Sequence, residues 1–469
     1  MNQNQLDQDR IDIISPIDGQ VFASRKLADG AEIEQALAAA QKAQKHWQST
    51  NIADRKAIID TMLTHFRAQE AELVPELARM MGRPVRFGGG EINGYCERAS
   101  HMAECAETAL ADIVLPEKAG FDRHISRRPL GVVLVIAAWN YPYLIAVNSI
   151  APALMAGNAV ILKHAAQTLP AATRMVRAFQ QAGLPEGLLT HLVVSHAQTA
   201  DIIADNRIAH VNFTGSVAGG RAIQAAARGR FIGVGLELGG KDPAYVRADA
   251  DLPATAAALV DGSFFNSGQS CCGIERIYAD ARIYDALLDL MRAETEAYIL
   301  GDPLNADTTL GPMVSAKAAN GLRAQIEAAQ AMGASGLIDR KGFAADQDGN
   351  AYCAPQILVN VSHDMAIMRE ESFGPVVGVM KTDSDEAALA LVNDSAFGLT
   401  ASIWTSDMEV GRRLAPQIET GTVFVNRCDY LDPGLAWTGI GDSGRGATLS
   451  QIGFEQLTRP MSFHIKHNV

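Results

Sequence analysis

Cysteines, basic charge and long apolar runs are all scarce in this 469-residue chain. Its six cysteines form no C-x-x-C pair, so we expect neither a disulfide framework nor a zinc site. A formal net charge of −13 disfavours a nucleic-acid partner, because duplex DNA is bound through basic surfaces. The longest apolar runs are shorter than the roughly 20 residues of a membrane-spanning helix, and Met1–Arg10 lacks a signal-peptide pattern. These absences favour a cytoplasmic protein with no metal, nucleic-acid or membrane partner.

The chain also lacks low-complexity tracts and short repeats, and its 48% of hydrophobic residues is ordinary for a globular protein. Between residues 131 and 238, short apolar runs alternate with helical stretches. The predicted strands are Gly131–Ala138, Val160–Lys163, Leu189–Val194, Val211–Thr214 and Ile232–Leu238, and the predicted helices are Leu169–Ala182, Ala200–Asn206 and Val217–Ala227. This alternation predicts a parallel sheet with helices on both faces. Such sheets bind ligands at the carboxyl ends of their strands.

A second alternation follows Pro243 and predicts a second α/β domain, with a boundary near Gly239–Pro243. Its predicted strands are Leu259–Phe265, Glu275–Tyr278, Gln356–Val361, Val376–Val379, Ala401–Trp404 and Thr422–Val425. Two further segments, Asp122–Arg128 and Met461–Lys466, alternate like edge strands and lie outside both domains. Edge strands of this kind can pair with another subunit.

Two adjacent cysteines lie in the turn-like segment Ser267–Gly273, directly after the apolar run Leu259–Phe265. A turn at the end of a strand would expose a thiol and allow it to act as a nucleophile. Free cysteine is also a common core residue, so a structural role is the alternative. The residues alone leave open which of Cys271 and Cys272 reacts.

Three other segments carry groups that suit catalysis or cofactor binding. Glu237 ends an apolar strand before a Gly-Gly turn, where burial would raise the carboxyl pKa to suit a general base; an ion pair is the alternative. The Gly215-Ser216 turn precedes a helix whose N-terminus can hold a pyrophosphate, although the G-x-G-x-x-G pattern is absent and an ordinary connection is the alternative. Asn140 can donate to an oxyanion or form a turn before a proline.

Taken together and in this order, these segments resemble the aldehyde dehydrogenase superfamily over nearly the whole chain. The motifs that carry the resemblance are Trp139-Asn140, Leu162-Lys163, Phe213-Thr214-Gly215-Ser216, Leu236-Glu237-Leu238-Gly239-Gly240-Lys241, Gly268-Gln269-x-Cys271 and Glu371-x-Phe373-Gly374-Pro375. The resemblance implies an α/β protein with the aldehyde dehydrogenase fold. A Rossmann-like cofactor domain would cover residues 1–117 and 137–240, an α/β catalytic domain 241–438, and small β segments for oligomerisation 118–136 and 439–469.

The resemblance also assigns catalytic roles. The cysteine of G-Q-x-C is the family's nucleophile, which here is Cys271, and the glutamate of L-E-L-G-G-K is the general base, here Glu237. The asparagine of W-N, here Asn140, would hold the oxyanion together with the Cys271 amide. The expected reaction oxidises an aldehyde to a carboxylic acid with NAD or NADP through a thioester that water hydrolyses. The cofactor-binding residues implied in the same way are Trp139, Lys163, Gly215, Ser216, Gly220, Glu371 and Phe373.

Two departures from the family pattern bear on the cofactor and the subfamily. Ala166 replaces the glutamate that binds the adenosine ribose hydroxyls in NAD-preferring members. Without that carboxylate a 2′-phosphate is not repelled, and Lys163 and His164 remain to meet it, so we expect NADP to be at least tolerated. Near the C-terminus the lysine of P-F-G-G-x-K-x-S-G is missing, although the pocket-facing aromatic is kept as Trp437.

The family pattern also predicts a substrate tunnel that is mostly apolar and aromatic. Its residues would be Tyr141, Leu144, Ile145, Phe265, Ser270, Cys272, Tyr430 and Trp437, which suits an apolar or aromatic aldehyde. Arg427 would favour a semialdehyde such as succinate semialdehyde if it held a carboxylate, and a surface role is the alternative. A CoA-acylating dehydrogenase is disfavoured by Glu237, and a cysteine hydrolase or a non-catalytic protein would be further alternatives. The resemblance implies a homodimer or homotetramer.

Overall fold

The computed structural model describes residues 9–467. Residues 1–8 and 468–469 lie outside the described residues. The prediction that Met1–Arg10 carries no signal peptide therefore falls mostly outside them. The strands, in chain order, are β1 (Arg10–Ile14), β2 (Val21–Lys26), β3 (Ile113–Val114), β4 (Phe121–Pro129), β5 (Val132–Ala137), β6 (Ala159–His164), β7 (Leu189–His191), β8 (Ile208–Thr214), β9 (Gly233–Glu237), β10 (Asp242–Val246), β11 (Ile274–Asp280), β12 (Ser335–Gly336), β13 (Gln356–Val359), β14 (Val376–Thr382), β15 (Phe397–Gly398), β16 (Thr400–Trp404), β17 (Thr422–Val425), β18 (Ile440–Gly441), β19 (Gly444–Arg445) and β20 (Thr458–Lys466).

Helices cover both sheets and fill the N-terminal part of the described chain. In chain order they are α1 (Gly30–Trp47), α2 (Ile52–Arg67), α3 (Glu70–Met81), α4 (Val85–Ala109), α5 (Pro142–Met155), α6 (Leu169–Gln181), α7 (His196–Ala204), α8 (Val217–Ala226), α9 (Leu252–Phe264), α10 (Tyr284–Glu296), α11 (Ala316–Ala331), α12 (Asp385–Asn393) and α13 (Met408–Leu414). Among residues 9–467, none of these helices is long and apolar enough to cross a membrane.

Two mainly parallel sheets form the centre of the protein, as the two alternations predict. The first has the strand order β19-β9-β8-β5-β6-β7, and all of its strands are parallel to their neighbours except β19. The second has the order β12-β13-β14-β11-β10-β16-β17, and only β12 is antiparallel to its neighbour. Every residue of β5 is buried, because a parallel strand with helices on both faces has no solvent side. The predicted α/β class is confirmed.

The chain passes from the first sheet to the second between Glu237 and Asp242, a segment that overlaps the predicted boundary near Gly239–Pro243; the domain limits themselves stay a prediction. The predicted strand Leu259–Phe265 is wrong, because Leu259–Phe264 form the end of α9 and Phe265 begins the short turn that follows it. Asp251 caps this helix by accepting a hydrogen bond from Ala254 N at 3.3 Å. A short apolar run cannot by itself distinguish a buried strand from a buried helix. The cysteine pair therefore follows a helix and a short turn rather than a strand.

The two predicted edge strands are present and pair with each other. β20 lies antiparallel to β4 from Thr458 opposite Pro129 to Lys466 opposite Phe121, and β3 adds a third strand on the other side of β4. This small sheet joins residues near the C-terminus to a segment between α4 and β5. Whether it also joins subunits stays a prediction.

Candidate active site

The sequence motifs converge on one edge of the first sheet. Trp139 and Asn140 follow β5, Lys163 lies near the end of β6, the Gly215-Ser216 turn follows β8, and Glu237 ends β9. Because these strands are parallel and adjacent, their carboxyl ends meet at the same edge of the sheet. The structure thus brings the candidate catalytic and cofactor-binding residues to one side of the molecule.

Cys271 follows a tight turn at residues 265–268 that requires unusual backbone angles. Asn266 and Ser267 adopt φ values of 54° and 57°, and Gly268 has a φ of +66°. A Cβ at Gly268 would collide with the backbone of Gly374, so only glycine fits there without displacing its neighbour. Gln269 fixes the turn further, because its Oε1 accepts from Val314 N at 2.7 Å. The nucleophile candidate is therefore carried by a rigid support.

The two adjacent cysteines have different environments. Cys272 is only 2% exposed and its Sγ donates to Asp429 Oδ1 at 2.9 Å, whereas Cys271 is partly exposed. A hydrogen bond with Cys271 and burial hold the pKa of the Cys272 thiol well above its usual value. A thiol that stays protonated is a poor nucleophile. The structure therefore favours Cys271 as the reactive residue, a choice that the residues alone leave open.

Asn140 lies against the segment that carries Cys271. Its side-chain Nδ2 donates to Gln269 O at 3.1 Å, and its own carbonyl accepts from Arg83 Nη2 at 2.7 Å and Asn266 Nδ2 at 3.2 Å. The Asn140 side chain is 3% exposed, so these contacts hold it in one orientation. A carboxamide nitrogen carries two N–H groups, and one of them remains for a further acceptor.

Glu237 is held by two threonine hydroxyls. Thr214 Oγ1 donates to one of its carboxylate oxygens at 3.0 Å, and Thr448 Oγ1 donates to the other. Burial raises the pKa of the Glu237 carboxyl, while the hydrogen bonds from Thr448 and Thr214 partly offset that rise. In this structure no lysine or arginine of residues 9–467 forms an ion pair with Glu237, so the ion-pair alternative is not realised.

A cavity of about 420 Å³ lies beside the two cysteines and Glu237, and its lining includes Tyr141 but not Asn140. Cys271 and Glu237 both line it, and so do all the residues expected to contact substrate: Tyr141, Leu144, Ile145, Phe265, Ser270, Cys272, Tyr430 and Trp437. The volume lies within the range of small-molecule sites. A thiol, a carboxylate and a pocket for an organic molecule thus share one space.

Comparison with known proteins identifies the family to which this chain belongs. A model of the aldehyde dehydrogenase family matches residues 3–463. This chain belongs to the aldehyde dehydrogenase family. The resemblance on which the sequence predictions rest is confirmed, and so is NAD(P)-dependent aldehyde oxidation as the enzyme class.

Three similar proteins illustrate the range of aldehyde dehydrogenases that resemble this one. The NAD(P)+-dependent succinate semialdehyde dehydrogenase Sad of Escherichia coli is 34% identical over 445 residues, which are 95% of either chain. Betaine aldehyde dehydrogenase 2 of Rhizobium meliloti is 32% identical over 96% of this chain and 93% of its own. The succinic semialdehyde dehydrogenase of Streptococcus pyogenes, solved with NADP+, has a TM-score of 0.93 at 29% identity, covering 97% of this chain and 100% of that one.

Six charged residues of the aldehyde dehydrogenase cavity are missing from the sequence predictions: Arg83, Glu91, Glu97, Arg98, Asp261 and Asp429. Arg83 and Glu91 form a buried ion pair, Arg98 is 8% exposed, and Asp429 accepts from Ser270 and Cys272 at 2.9 Å each. Glu91 and Arg98 lie seven positions apart on α4, a spacing that places them on one helix face. That spacing was the only available signal, because no motif marks these positions. The cavity is therefore more polar than predicted.

Arg427 does not share this cavity. Its side chain is exposed, and the guanidinium carbon lies 3.6 Å from the centre of the Tyr430 ring. Cation–π stacking of this kind is common for arginine at surfaces. The surface alternative for Arg427 is the one that the structure supports.

The residues expected to hold the nicotinamide end of the cofactor lie together. The rings of Trp139 and Phe373 meet edge to face with centroids 5.6 Å apart, and both line a cavity of about 260 Å³. Glu371 Oε1 accepts from Gly240 N at 3.2 Å. Burial and the neighbouring Glu275 raise the pKa of the Glu371 carboxyl to about 7.

A third cavity, of about 210 Å³, adjoins the end of β6 and is lined by Lys163, His164, Ala166, Ser195 and His196 among others. Both ring nitrogens of His164 are engaged, one with Pro142 O at 3.0 Å and one with Thr168 Oγ1 at 3.0 Å. Burial lowers the pKa of His164 to about 4. His164 is therefore neutral near pH 7 and does not add the positive charge expected of it, which leaves Lys163 as the cation beside Ala166.

The remaining cofactor candidates form the turn between β8 and α8. Ser216 caps α8 by accepting from Gly219 N at 3.2 Å, and Gly215 N donates to Glu237 O at 3.0 Å. A Cβ at Gly220 would lie 2.8 Å from Leu238 Cδ2, so the helix start packs tightly against the segment after β9. This turn ends in a helix N-terminus, which suits a phosphate group.

Proposed function

We propose that this enzyme oxidises an aldehyde to the carboxylic acid through a thioester on Cys271. The observation that carries the proposal is that Cys271 and Glu237 open on one cavity of about 420 Å³. A nucleophile and a base that serve successive steps of one reaction must both reach the same carbon atom. The neighbouring Cys272 is held as a thiol and lines the wall.

The first half of the reaction forms the covalent intermediate. The Cys271 thiolate attacks the aldehyde carbon, a C–S bond forms, and the carbonyl oxygen becomes an oxyanion. The free N–H of the Asn140 side chain and the backbone N–H of Cys271 would hold that oxygen, and one such donor is worth about 3–4 kcal/mol to the transition state. NAD(P)+, when bound, takes the hydride that leaves the aldehyde carbon, so that an acyl thioester remains on Cys271.

The second half of the reaction releases the acid. Glu237 takes a proton from water as that water attacks the thioester carbonyl, the C–S bond breaks, and the Cys271 thiolate is restored. Its raised pKa makes Glu237 a stronger base than a solvated carboxylate. The thiol of CoA is more acidic than water and therefore needs less help from a base to attack the thioester. The presence of a buried base in the cavity thus favours hydrolysis over CoA acylation.

We assign the cofactor contacts to residues whose surroundings fit each part of NAD(P)+. Trp139 and Phe373 would lie beside the nicotinamide, and Lys163 and Glu371 would bind the two riboses. The Gly215-Ser216 turn and the start of α8 at Gly220 hold the pyrophosphate, since backbone N–H groups at a helix N-terminus bind anions without a basic side chain.

The names of relatives do not select a substrate for this chain. Succinate semialdehyde carries a carboxylate and betaine aldehyde a quaternary ammonium, and relatives named for either match to similar extents. The side chains of the cavity must therefore decide. Its apolar walls, which include Leu144, Phe265 and Trp437, fit an apolar or aromatic stretch next to the aldehyde group.

We also propose a homodimer or homotetramer built on the sheet of β3, β4 and β20. Large apolar side chains are exposed on this small sheet, with Val114 at 80%, Ile465 at 49% and Met461 at 41% exposure. Contiguous exposed apolar residues mark interaction surfaces. Light scattering should report the mass of a dimer or a tetramer of the 50.0 kDa chain. The double variant Val114→Asp/Ile465→Asp should lower that mass to the monomer value. A monomeric wild type would contradict the proposal.

The proposed reaction is tested by following NADH and NADPH formation by the purified enzyme. Hexanal, benzaldehyde, succinate semialdehyde and betaine aldehyde serve as substrates, each with and without CoA. Cys271→Ala should abolish turnover, and Cys105→Ala, which removes a partly exposed thiol on α4, should not. Acyl-CoA formation would identify the CoA-acylating alternative. Ester hydrolysis without any NAD(P)H would identify a hydrolase, and either result would overturn the proposal.

A further inference from the structure

Arg98 is a buried cation in the cavity that the proposed reaction leaves without a role. It lies on α4, is 8% exposed and lines the same cavity as Cys271 and Glu237. Its Nη1 donates to Leu144 O at 3.3 Å and to Asn148 Oδ1 at 3.2 Å. Within residues 9–467 its other two nitrogens have no hydrogen-bond partner, and no carboxylate lies within ion-pair distance of the guanidinium. Neither nitrogen is fully enclosed by protein.

The other buried arginines of the described chain show how unusual this is. Arg83 uses all three of its guanidinium nitrogens, including one in its ion pair with Glu91. All three guanidinium nitrogens of Arg276 donate hydrogen bonds to carbonyl or hydroxyl oxygens. Two of the three nitrogens of Arg55 donate to carbonyl oxygens. Arg98 alone among them uses a single nitrogen. Arg83 and Arg276 are fully satisfied by protein groups, and Arg55 leaves only its buried Nε without a partner, whereas Arg98 leaves two nitrogens unused.

A buried guanidinium with unused N–H groups is costly unless an anion completes it. The planar fork of arginine fits a carboxylate through two parallel hydrogen bonds. We infer that Arg98 anchors a carboxylate at the far end of the aldehyde, so that the substrate is the semialdehyde of a dicarboxylic acid. This inference rests on the proposed function, because it places the other end of the same molecule at Cys271.

The fold holds Arg98 in position for this contact. Asn148 is 2% exposed on α5, and its side-chain oxygen orients one edge of the guanidinium. One turn earlier on α4, a Cβ at Gly94 would lie 2.7 Å from Leu144 Cδ2, so the two helices approach closely there. Asn140 and Tyr141 directly precede α5. The helix that orients Arg98 therefore continues from the residues beside Cys271.

The carboxylates of the cavity do not occupy Arg98. Glu91 is paired with Arg83, Glu237 accepts from two threonines, and Asp429 accepts from Ser270 and Cys272. The two other acids of the cavity wall, Glu97 and Asp261, are exposed. A cationic aldehyde held by these acids is the competing arrangement, but it would leave two nitrogens of Arg98 without a hydrogen-bond acceptor.

The wild-type enzyme gives the first test, which needs no variant. We compare kcat/KM for succinate and glutarate semialdehydes with hexanal and heptanal, which have the same numbers of non-hydrogen atoms, and with the cationic 4-aminobutanal. The semialdehydes should exceed the neutral aldehydes by about 100-fold, the value of a desolvated charge pair of about 3 kcal/mol. A preference for 4-aminobutanal, or no preference for either semialdehyde, would overturn the inference.

Variants then assign the preference to Arg98. Arg98→Gln should lower kcat/KM for the preferred semialdehyde by about 100-fold more than it lowers kcat/KM for hexanal, while Arg98→Lys should recover part of that difference. Arg79→Gln, which removes an exposed positive charge from α3, is the matched control. Equal losses with hexanal and the semialdehyde would show that Arg98 is structural and would overturn the inference.

Direct binding separates this inference from the proposed chemistry. Calorimetry with Cys271→Ala and succinate or glutarate, the products expected from the two semialdehydes, should show binding that disappears in Cys271→Ala/Arg98→Gln. If the wild type oxidises hexanal but shows no preference for a semialdehyde, the inference alone fails. If it oxidises none of these aldehydes with either cofactor, the proposed function fails.

Discussion

The thiol of Cys272 lies 2.9 Å from Oδ1 of Asp429 and donates a hydrogen bond to it. Ser270 Oγ donates to the same oxygen at 2.9 Å. Asp429 has a φ of 44°, in the left-handed region, so the backbone is held in an unfavourable conformation that directs this carboxyl into the wall of the cavity. The arrangement fixes the proton of Cys272, so that Cys271 is the partly exposed thiol of the pair without this restraint.

We predict that Cys272→Ala lowers kcat/KM by no more than about tenfold, because it removes one hydrogen bond and a small packing contact worth about 1.4 kcal/mol. Iodoacetamide should alkylate Cys271 in the native enzyme and leave Cys272 unmodified, as peptide mass spectrometry would show. In Cys271→Ala, neither position should be labelled. Alkylation of Cys272, or a loss of activity in Cys272→Ala as large as in Cys271→Ala, would reverse the assignment.

Thr448 should control the pH at which Glu237 works. Its hydroxyl favours the charged carboxylate, so Thr448→Val should raise the pKa of Glu237. A base acts only when deprotonated, and activity is lost as the pH falls through its pKa. The acid limb of thioester hydrolysis should therefore move to higher pH in Thr448→Val and stay in place in Thr448→Ser. Single-turnover hydrolysis measured against pH checks this; a shift to lower pH would mean that Glu237 is not the base.

The two sheets were predictable because each strand is short, apolar and separated from the next by a helix. β8 and β9, for example, were predicted to within three residues at each end. Parallel strands buried on both faces show this signal most clearly. The ordering of the strands within each sheet does not follow from the sequence, since it depends on which faces pack together.

Leu259–Phe265 shows where the sequence signal fails. The run is apolar and short enough for a strand, but Asp251 caps a helix that begins at Leu252 and continues through an alanine-rich segment. The cap and the proline near the start were the informative residues, and they precede the apolar run. Hydrophobicity alone gave the wrong element, although it placed Cys271 correctly after a turn.

The sequence predicts the site residues that lie in short motifs. It does not predict the residues that only the folded chain brings into the cavity. Cys271, Glu237 and Asn140 lie in short motifs, whereas Arg98 and Asp429 meet in the cavity from positions 331 residues apart, as their numbers show. Nothing local distinguishes Arg98 from the other arginines of the helical region. Its importance comes from burial without a charged partner, which only the packing of α4 against α5 reveals.

Ala166 should determine how well the enzyme accepts NADP. It is exposed and lines the cavity that also contains Lys163. We predict that Ala166→Glu lowers kcat/KM for NADP by about 100-fold through charge repulsion with the 2′-phosphate, while kcat/KM for NAD is kept or improved. Ala166→Gln adds the same bulk without charge and should keep most NADP activity. Equal losses in both variants would point to a steric effect instead.

Gly268 should be required for both stability and turnover. Its φ of +66° disfavours any other residue, and a Cβ there would meet the backbone of Gly374, which cannot give way as a flexible side chain can. We predict that Gly268→Ala destabilises the enzyme by at least about 2 kcal/mol and lowers kcat, because the displaced turn carries Cys271. Gly30→Ala is the control, since Gly30 begins α1 and nothing lies near its added Cβ; its Tm should stay the same or rise slightly. Thermal unfolding and steady-state kinetics of both variants check this, and a Gly268→Ala enzyme with wild-type Tm and kcat would show that the turn can relax without moving the nucleophile.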